Sequence, residues 1–213
     1  MTTPNPTRSS RELIHSGCPD GDEHDGHSDG GKGRGALRNK LFDQRTIVLS
    51  EEISSRAADR VISSLLYLDS LDQSPIRLFI NSPGGEADSG MAIFDSIRFA
   101  SSPVQIVATG LIASAGTIIY CSTPRELRFA MPHTRIMMHQ PATGVRGQAS
   151  DIDIEAREII AFRERVNVLI AEATGQPLER IQKDQHRNFW MDAQAGVEYG
   201  LVGKIIHSLR DIS

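Results

Sequence analysis

Residues 110–120 read GLIASAGTIIY and continue the β-branched run VQIVAT of residues 104–109. The apolar run predicts a strand. Ser114 stands where that strand hands over to a helix, and the small neighbours Ala113, Ala115 and Gly116 permit a tight turn and close approach by a ligand. Working outward, residues 77–90 read RLFINSPGGEADSG, a second strand that ends in the pair Gly84-Gly85, where backbone N–H groups can face a cleft unobstructed by side chains. Downstream, MMHQP at residues 137–141 places His139 at the end of a third apolar run. A serine at a strand-to-helix boundary is ordinarily an N-cap, a lone histidine ordinarily a structural hydrogen-bonder, and a Gly-Gly pair ordinarily a turn. Together and in this order they point to a nucleophile, a base and oxyanion donors. A hydroxyl attacks only when a base takes its proton, and imidazole titrates near neutrality. The positive end of the helix entered through Ser114 would also favour a developing oxyanion.

Around these segments the hydrophobic pattern predicts an alternation of strands and helices. RTIVL (45–49) reads as a strand, followed by a helix from about Glu51 to Asp69 whose first residues are acidic and on which Ile53, Ala57, Val61 and Leu65 recur at helical spacing. IRLFI (76–80), an amphipathic helix carrying Met91, Ile93, Phe94 and Ile97, and the short strands ELRFAM (126–131) and RIMMH (135–139) continue the series. Such alternation implies parallel pairing through right-handed crossovers, hence an α/β domain. A long helix is expected from about Asp151 to Ala173, with Ser150 as N-cap, Asp153 three residues on, and a stop at Gly175 before Pro177. Ile152, Ile159, Val166 and Ile170 cover one of its faces, but Ile154, Ile160 and Leu169 fall off that stripe. The excess predicts a second contact, with another subunit.

Length and composition bound the rest. At 213 residues the chain suits one domain with a substantial core. A net charge of −4, with no basic stripe interleaved by aromatics, argues against nucleic acid as the main partner. No apolar run approaches the roughly 20 residues of a spanning helix, and MTTPNPTRSSRELI lacks the apolar core of a signal peptide, so the expected location is cytoplasmic and off the membrane. Cys18 and Cys121 make neither a disulfide framework nor a CxxC site, and Cys121 reads as buried and inert. Residues 1–36 hold too few large apolar side chains to offset the entropy of ordering and read as a disordered or processed tail, leaving 37–213 as the domain. Within the tail, His24, His27, Asp22, Asp25 and Asp29 miss the calcium-loop pattern, and GGKGRG (30–35) misses the phosphate-loop spacing. No metal or cofactor is expected.

From about Lys40 to Ile206 the chain resembles the proteolytic subunit of the ATP-dependent Clp protease, the ClpP family. The motifs that carry the resemblance are collinear: INSPGG at 80–85, Gly-x-x-Ala-Ser-x-Gly around Ser114, MHQP at His139, GQASDIDIEARE at 147–158 and AGVEYGLV at 195–202. The resemblance implies the ClpP/crotonase-like fold of repeated β-β-α units with a protruding long helix. It also implies a serine endopeptidase in which Ser114 is the nucleophile, His139 the general base, and Gly85 and Ala115 the backbone oxyanion donors. The third triad position falls on Asn188, where the typical active member has aspartate. Asparagine is neutral and can present NH₂ to the imidazole, favouring the wrong tautomer; the same exchange in a serine-protease triad costs about 10⁴ in kcat. If the segment is helical, Asp184 and Asp192 stand about one turn away, and a register change would bring in a carboxylate.

By the same resemblance, two heptameric rings stack face to face and enclose the sites, the long helices meet across the equator, and a Clp-family ATPase unfolds and feeds protein substrates. The docking pocket for that ATPase is partly kept, with Phe79, Phe99, Val107, Phe129 and Met131 beside Arg77 and Thr109. His186 takes a position usually acidic in the family, next to Arg187, which puts ring stacking in question. Two other readings stay open. One is a catalytically weak paralogue serving as a structural or regulatory subunit of mixed rings; the other is a crotonase-like acyl-CoA enzyme, against which Ser114 and His139 argue.

Overall fold

The computed structural model describes residues 40–142, 144 and 146–212. The tail read at 1–36, with its His and Asp cluster and its Gly-Lys-Gly run, lies outside the described residues. Among the described residues seven strands form one branched sheet: β1 (Thr46–Leu49), β2 (Ile76–Ser82), β3 (Val104–Ala113), β4 (Arg128–Ala130), β5 (Arg135–Met138), β6 (Phe189–Asp192) and β7 (Lys204–Ile205). The path β1-β2-β3-β4-β7 is parallel throughout, as the alternation with helices requires.

The branch lies on β3, whose first half pairs with β4 (Ile106–Ala108) and whose second half pairs with β5 (Leu111–Ala113). Gly110, at a φ of 55°, marks the division. There the register with β2 also shifts, and the Asn81 side chain accepts from Leu111 N–H at 3.1 Å. One long strand therefore serves two sheet planes, and its far end delivers Ser114.

Among the described residues, the sheet is flanked by helices α1 (Ser55–Leu71), α2 (Ala87–Phe99), α3 (Ala115–Tyr120), α4 (Ala149–Thr174), α5 (Leu178–Asp184) and α6 (Ala193–Tyr199), and residues 40–43 are also helical. Their apolar stripes, Ala57, Val61, Leu65 and Leu68 on α1 and Ile93, Phe94 and Ile97 on α2, close over Leu78, Ile80, Ile106 and Ile112 to form the core. A second, smaller apolar cluster of Val107, Phe129, Ile206 and Ile212, with Phe79 packed against it, gathers Phe79, Val107 and Phe129 of the expected docking-pocket residues. Phe99 and Met131, assigned to the same pocket, are exposed.

Three element boundaries differ from the pattern-based expectation. The first helix begins at Ser55, not near Glu51, because Ile53 is held in an extended bridge with Gly85 and Ser54 caps the helix by accepting from Ala57 N–H at 3.3 Å. The long helix begins at Ala149 with Gln148 at the N-cap position, so Ser150 lies inside its first turn and makes no cap; Gly175 ends it as expected. The segment around Asn188 is not helical. Residues 189–192 form β6, which runs antiparallel to β5 and breaks the all-parallel expectation.

Only the C-terminal part of α4, at Val166, Asn167, Ile170 and Thr174, is buried. Ile152 is exposed rather than part of a core-facing stripe, and Ile154, Ile160 and Val168 are exposed with it. Among the described residues no helix is long and apolar enough to cross a membrane.

Candidate active site

Ser114 occupies the first residue beyond β3 in a conformation that only glycine adopts easily, with φ 54° and ψ −123°. Holding a residue there costs on the order of 1–3 kcal/mol. The surroundings over-determine it: Ser114 N–H donates to Met137 O at 3.0 Å, its own carbonyl accepts from Thr117 N–H at 2.9 Å, and the Thr117 hydroxyl donates to the same Met137 O at 3.0 Å. Although Ser114 stands at the N-cap position of α3, its side chain makes no cap hydrogen bond. The hydroxyl is directed instead to His139, with Ser114 Oγ 2.8 Å from His139 Nε2.

His139 follows β5 by one residue. The chain beyond it is fastened to the turn after α5, where Gln140 N–H donates to Gln185 O at 2.8 Å and Gln140 Nε2 to His186 O at 3.3 Å. Antiparallel pairing of β5 with β6 runs through Met137 opposite Trp190 and Met138 opposite Phe189. The recorded pairs end there, and one further step of the same register would set His139 opposite Asn188. Asn188 is exposed and makes no hydrogen bond to His139 among the described residues.

The two neighbouring carboxylates are occupied elsewhere. Asp184 accepts from the Tyr199 hydroxyl at 2.9 Å and lies 3.5 Å from Arg180, while Asp192 caps α6 by accepting from Ala195 N–H at 2.8 Å. The register change that would bring a carboxylate to His139 is therefore not what the fold shows; strand β6, not a helical turn, separates Asn188 from Asp192.

Gly84 and Gly85, at φ 96° and 149°, carry the chain past Ser114. A Cβ on Gly84 would come within 2.6 Å of Ser114 Cβ, and one on Gly85 within 2.1 Å of Ile53 O. Ile53 takes Gly84 O and Glu86 N–H at 2.8 Å each. Neither the Gly85 N–H nor the Ala115 N–H donates to a protein acceptor among the described residues, and both residues line the cavity beside Ser114. Backbone donors without a protein acceptor in the lining of a cavity that holds a serine hydroxyl suit a developing oxyanion.

The dyad opens into a cavity of about 440 Å³ walled by Ile118, Met138, Phe162, Val166 and Ile170. A larger cavity of about 720 Å³, around Arg125 and Arg128, shares none of these residues. Val166 and Ile170 were legible as apolar positions of the long helix. Gln185, also in the wall of the smaller cavity, carried no sequence signal, because it is placed by the end of α5 and the long-range hydrogen bond from Gln140 N–H. Cys121 is a buried free thiol whose pKa burial raises to about 11. Among the described residues no group of His, Cys, Asp and Glu is arranged to hold a metal ion.

Comparison with known proteins follows the same lines. Residues 30–209 match the Clp protease family. The chain is 46% identical over 172 residues to ATP-dependent Clp protease proteolytic subunit 3 of Rhizobium etli, covering 81% of this chain and 89% of that one. It is 42% identical over 189 residues to proteolytic subunit 2 of Pseudomonas aeruginosa, covering 87% of this chain and 94% of that one. Among solved structures, an Asn-to-Asp mutant of ClpP1 from Listeria monocytogenes superposes with a TM-score of 0.78 at 45% identity, covering 83% of this chain and 99% of that one. Fold, branched parallel sheet and extent of similarity agree, and the chain belongs to the Clp protease family.

Proposed function

We propose that the chain is a proteolytic subunit of a Clp-type ATP-dependent protease, a serine-type peptidase that cleaves unfolded polypeptides. The observation that carries this reading is the 2.8 Å contact between Ser114 Oγ and His139 Nε2, made by a serine in a strained turn with its capping role given up. In this reading Ser114 Oγ attacks the scissile carbonyl while His139 takes its proton. The N–H groups of Gly85 and Ala115 receive the oxyanion. His139 then protonates the leaving amine, and water entering by the reverse sequence releases the acyl group. Asn188, opposite His139 in the strand register, takes the place of the orienting acid and supplies no charge to the imidazolium.

The names of the relatives support a Clp ATPase as the partner that delivers substrate, and the exposed isoleucines of α4 support assembly into two stacked rings. The reading places the protein in the cytoplasm. A structural or regulatory subunit in mixed rings is favoured by one observation: no carboxylate hydrogen-bonds to His139 among the described residues. Hydrolysis of short fluorogenic peptides without nucleotide separates the two. The peptidase reading expects turnover that disappears in Ser114→Ala. Turnover that survives Ser114→Ala, or none from the assembled wild type, contradicts it.

A further inference from the structure

The cavity beside Ser114 has apolar walls and one buried amide without a partner. Gln185 is 2% exposed, lies in the wall of this cavity, and its Nε2 meets no acceptor among the described residues. Its backbone is fixed on both sides, with N–H donating to Ile181 O at 2.9 Å and C=O accepting from Gln140 N–H at 2.8 Å. The other polar side chains lining the cavity are engaged: Ser114 with His139, Thr117 with Met137 O, and Glu86 with the Ser89 hydroxyl at 2.7 Å. A buried donor left unpaired is costly, and a native site that keeps one needs a reason. A substrate atom that supplies the acceptor is such a reason in a cavity next to a nucleophile.

We propose that Gln185 is a specificity-determining residue, whose amide receives the end of the substrate side chain on the acyl side of the cleaved bond and favours glutamine there. The proposal rests on the peptidase reading of Ser114 and His139. Three features select the partner. The cavity, at about 440 Å³, takes a long side chain. Walls of Ile118, Met138, Phe162, Val166 and Ile170 cost a charged end its hydration, and the one carboxylate in the lining, Glu86, already accepts from the Ser89 hydroxyl. A substrate amide offers both a donor and an acceptor, so it satisfies Gln185 in either orientation of that amide. A leucine fills the same space but leaves the donor unpaired.

The test compares fluorogenic peptides that differ only in having Gln or Leu before the cleaved bond, using wild type and Gln185→Met, which keeps length without an amide. The ratio of kcat/KM for Gln over Leu is expected to fall about threefold to tenfold in the variant, the size of one net hydrogen bond. An unchanged ratio overturns the proposal, as does an equal fall for both peptides. If turnover is too slow, or Gln185→Met fails to fold, the same ratio is read as Kd in the Ser114→Ala background. The ligands are product peptides ending in Gln or Leu, and Gln185→Asn is the second variant. Fluorophosphonate labelling of Ser114 is scored alongside: label without a Gln preference refutes this proposal alone, whereas absence of label refutes the peptidase reading.

Discussion

At Ser114, geometry is held by its neighbours more than by the residue itself, so the most damaging changes are those that crowd it. Gly84→Ala would place a Cβ 2.6 Å from Ser114 Cβ and 2.8 Å from Ala113 O, at a φ of 96°. We expect about 1–3 kcal/mol of destabilisation by thermal unfolding and loss of peptidase activity together. Full stability and activity would mean that the turn is more tolerant than its geometry implies. Asn188→Asp should act in the opposite sense, raising kcat by tenfold or more, within the limit of about 10⁴ set by the reverse exchange, with little change in KM. An unchanged kcat in an intact assembly would show that the neutral amide is not limiting. Cys121, its thiol pushed up to about 11 by burial, should stay unalkylated by iodoacetamide at pH 8 in the native protein and react on unfolding. Modification mapped to Cys121 in the folded state would contradict its burial. Ser114, His139 and the Gly84-Gly85 pair stood out in the sequence because each closes or opens an element with a visible pattern, whereas the roles expected of Gly85 and Ala115 came only from the family resemblance. Gln185 did not stand out, since nothing local marks a glutamine in a turn as lining a cleft whose other residues run from Gly85 to Ile170.

Among the elements, β2 and β3 were legible because β-branched runs bounded by glycine or proline have few alternatives, and β4 and β5 as short apolar runs set off by Pro124, Pro132 and Pro141. The antiparallel β6 was hidden, being four residues, FWMD, set between two helices with no alternation long enough to distinguish a strand from a helical turn. The start of α1 was missed for a different reason: Ile53 has the right spacing for the helical stripe, but the bridge to Gly85 takes it, a tertiary demand that overrides local pattern. The end of α1 carries its own clamp, as Asp69 accepts from Ser102 N–H at 2.7 Å and Ser101 N–H at 3.2 Å and so ties α1 to the loop before β3. Hydrogen bonding from Ser102 and Ser101 holds the Asp69 carboxyl below its usual value of 3.8. A depressed folded-state pKa stabilises the fold above the unfolded value, and that contribution is lost as pH falls through the lower folded value. Asp69→Asn should therefore lower Tm at pH 6, and the gap from wild type should close as both are taken to pH 3 and below. A gap that stays constant across that range would remove the carboxylate charge from the explanation.

The whole molecule couples its site to its outer surface through α4. One side of this helix supplies Phe162, Val166 and Ile170 to the cavity beside Ser114, while Ile152, Ile154 and Ile160 stand 43%, 58% and 47% exposed. Apolar side chains so disposed on one helix suit burial against further copies of the chain. The double variant Ile154→Asp, Ile160→Asp should give smaller particles by light scattering and slower peptide hydrolysis in parallel, because a loosened α4 no longer holds the wall of the site. Small particles with undiminished turnover would break that coupling. The excess apolar surface was visible in the sequence, and Ile154 and Ile160 belong to it as expected; Ile152, read into the core-facing stripe, joins them, whereas Leu169 packs against the core in the C-terminal portion of α4. The central claim is that Ser114 is a nucleophile activated by His139. It is tested most directly by treating the assembled protein with a fluorophosphonate probe and locating the adduct by mass spectrometry. A single adduct on Ser114, lost in His139→Ala, is the predicted result; an assembled, folded protein with His139 intact and no adduct at Ser114 would contradict it.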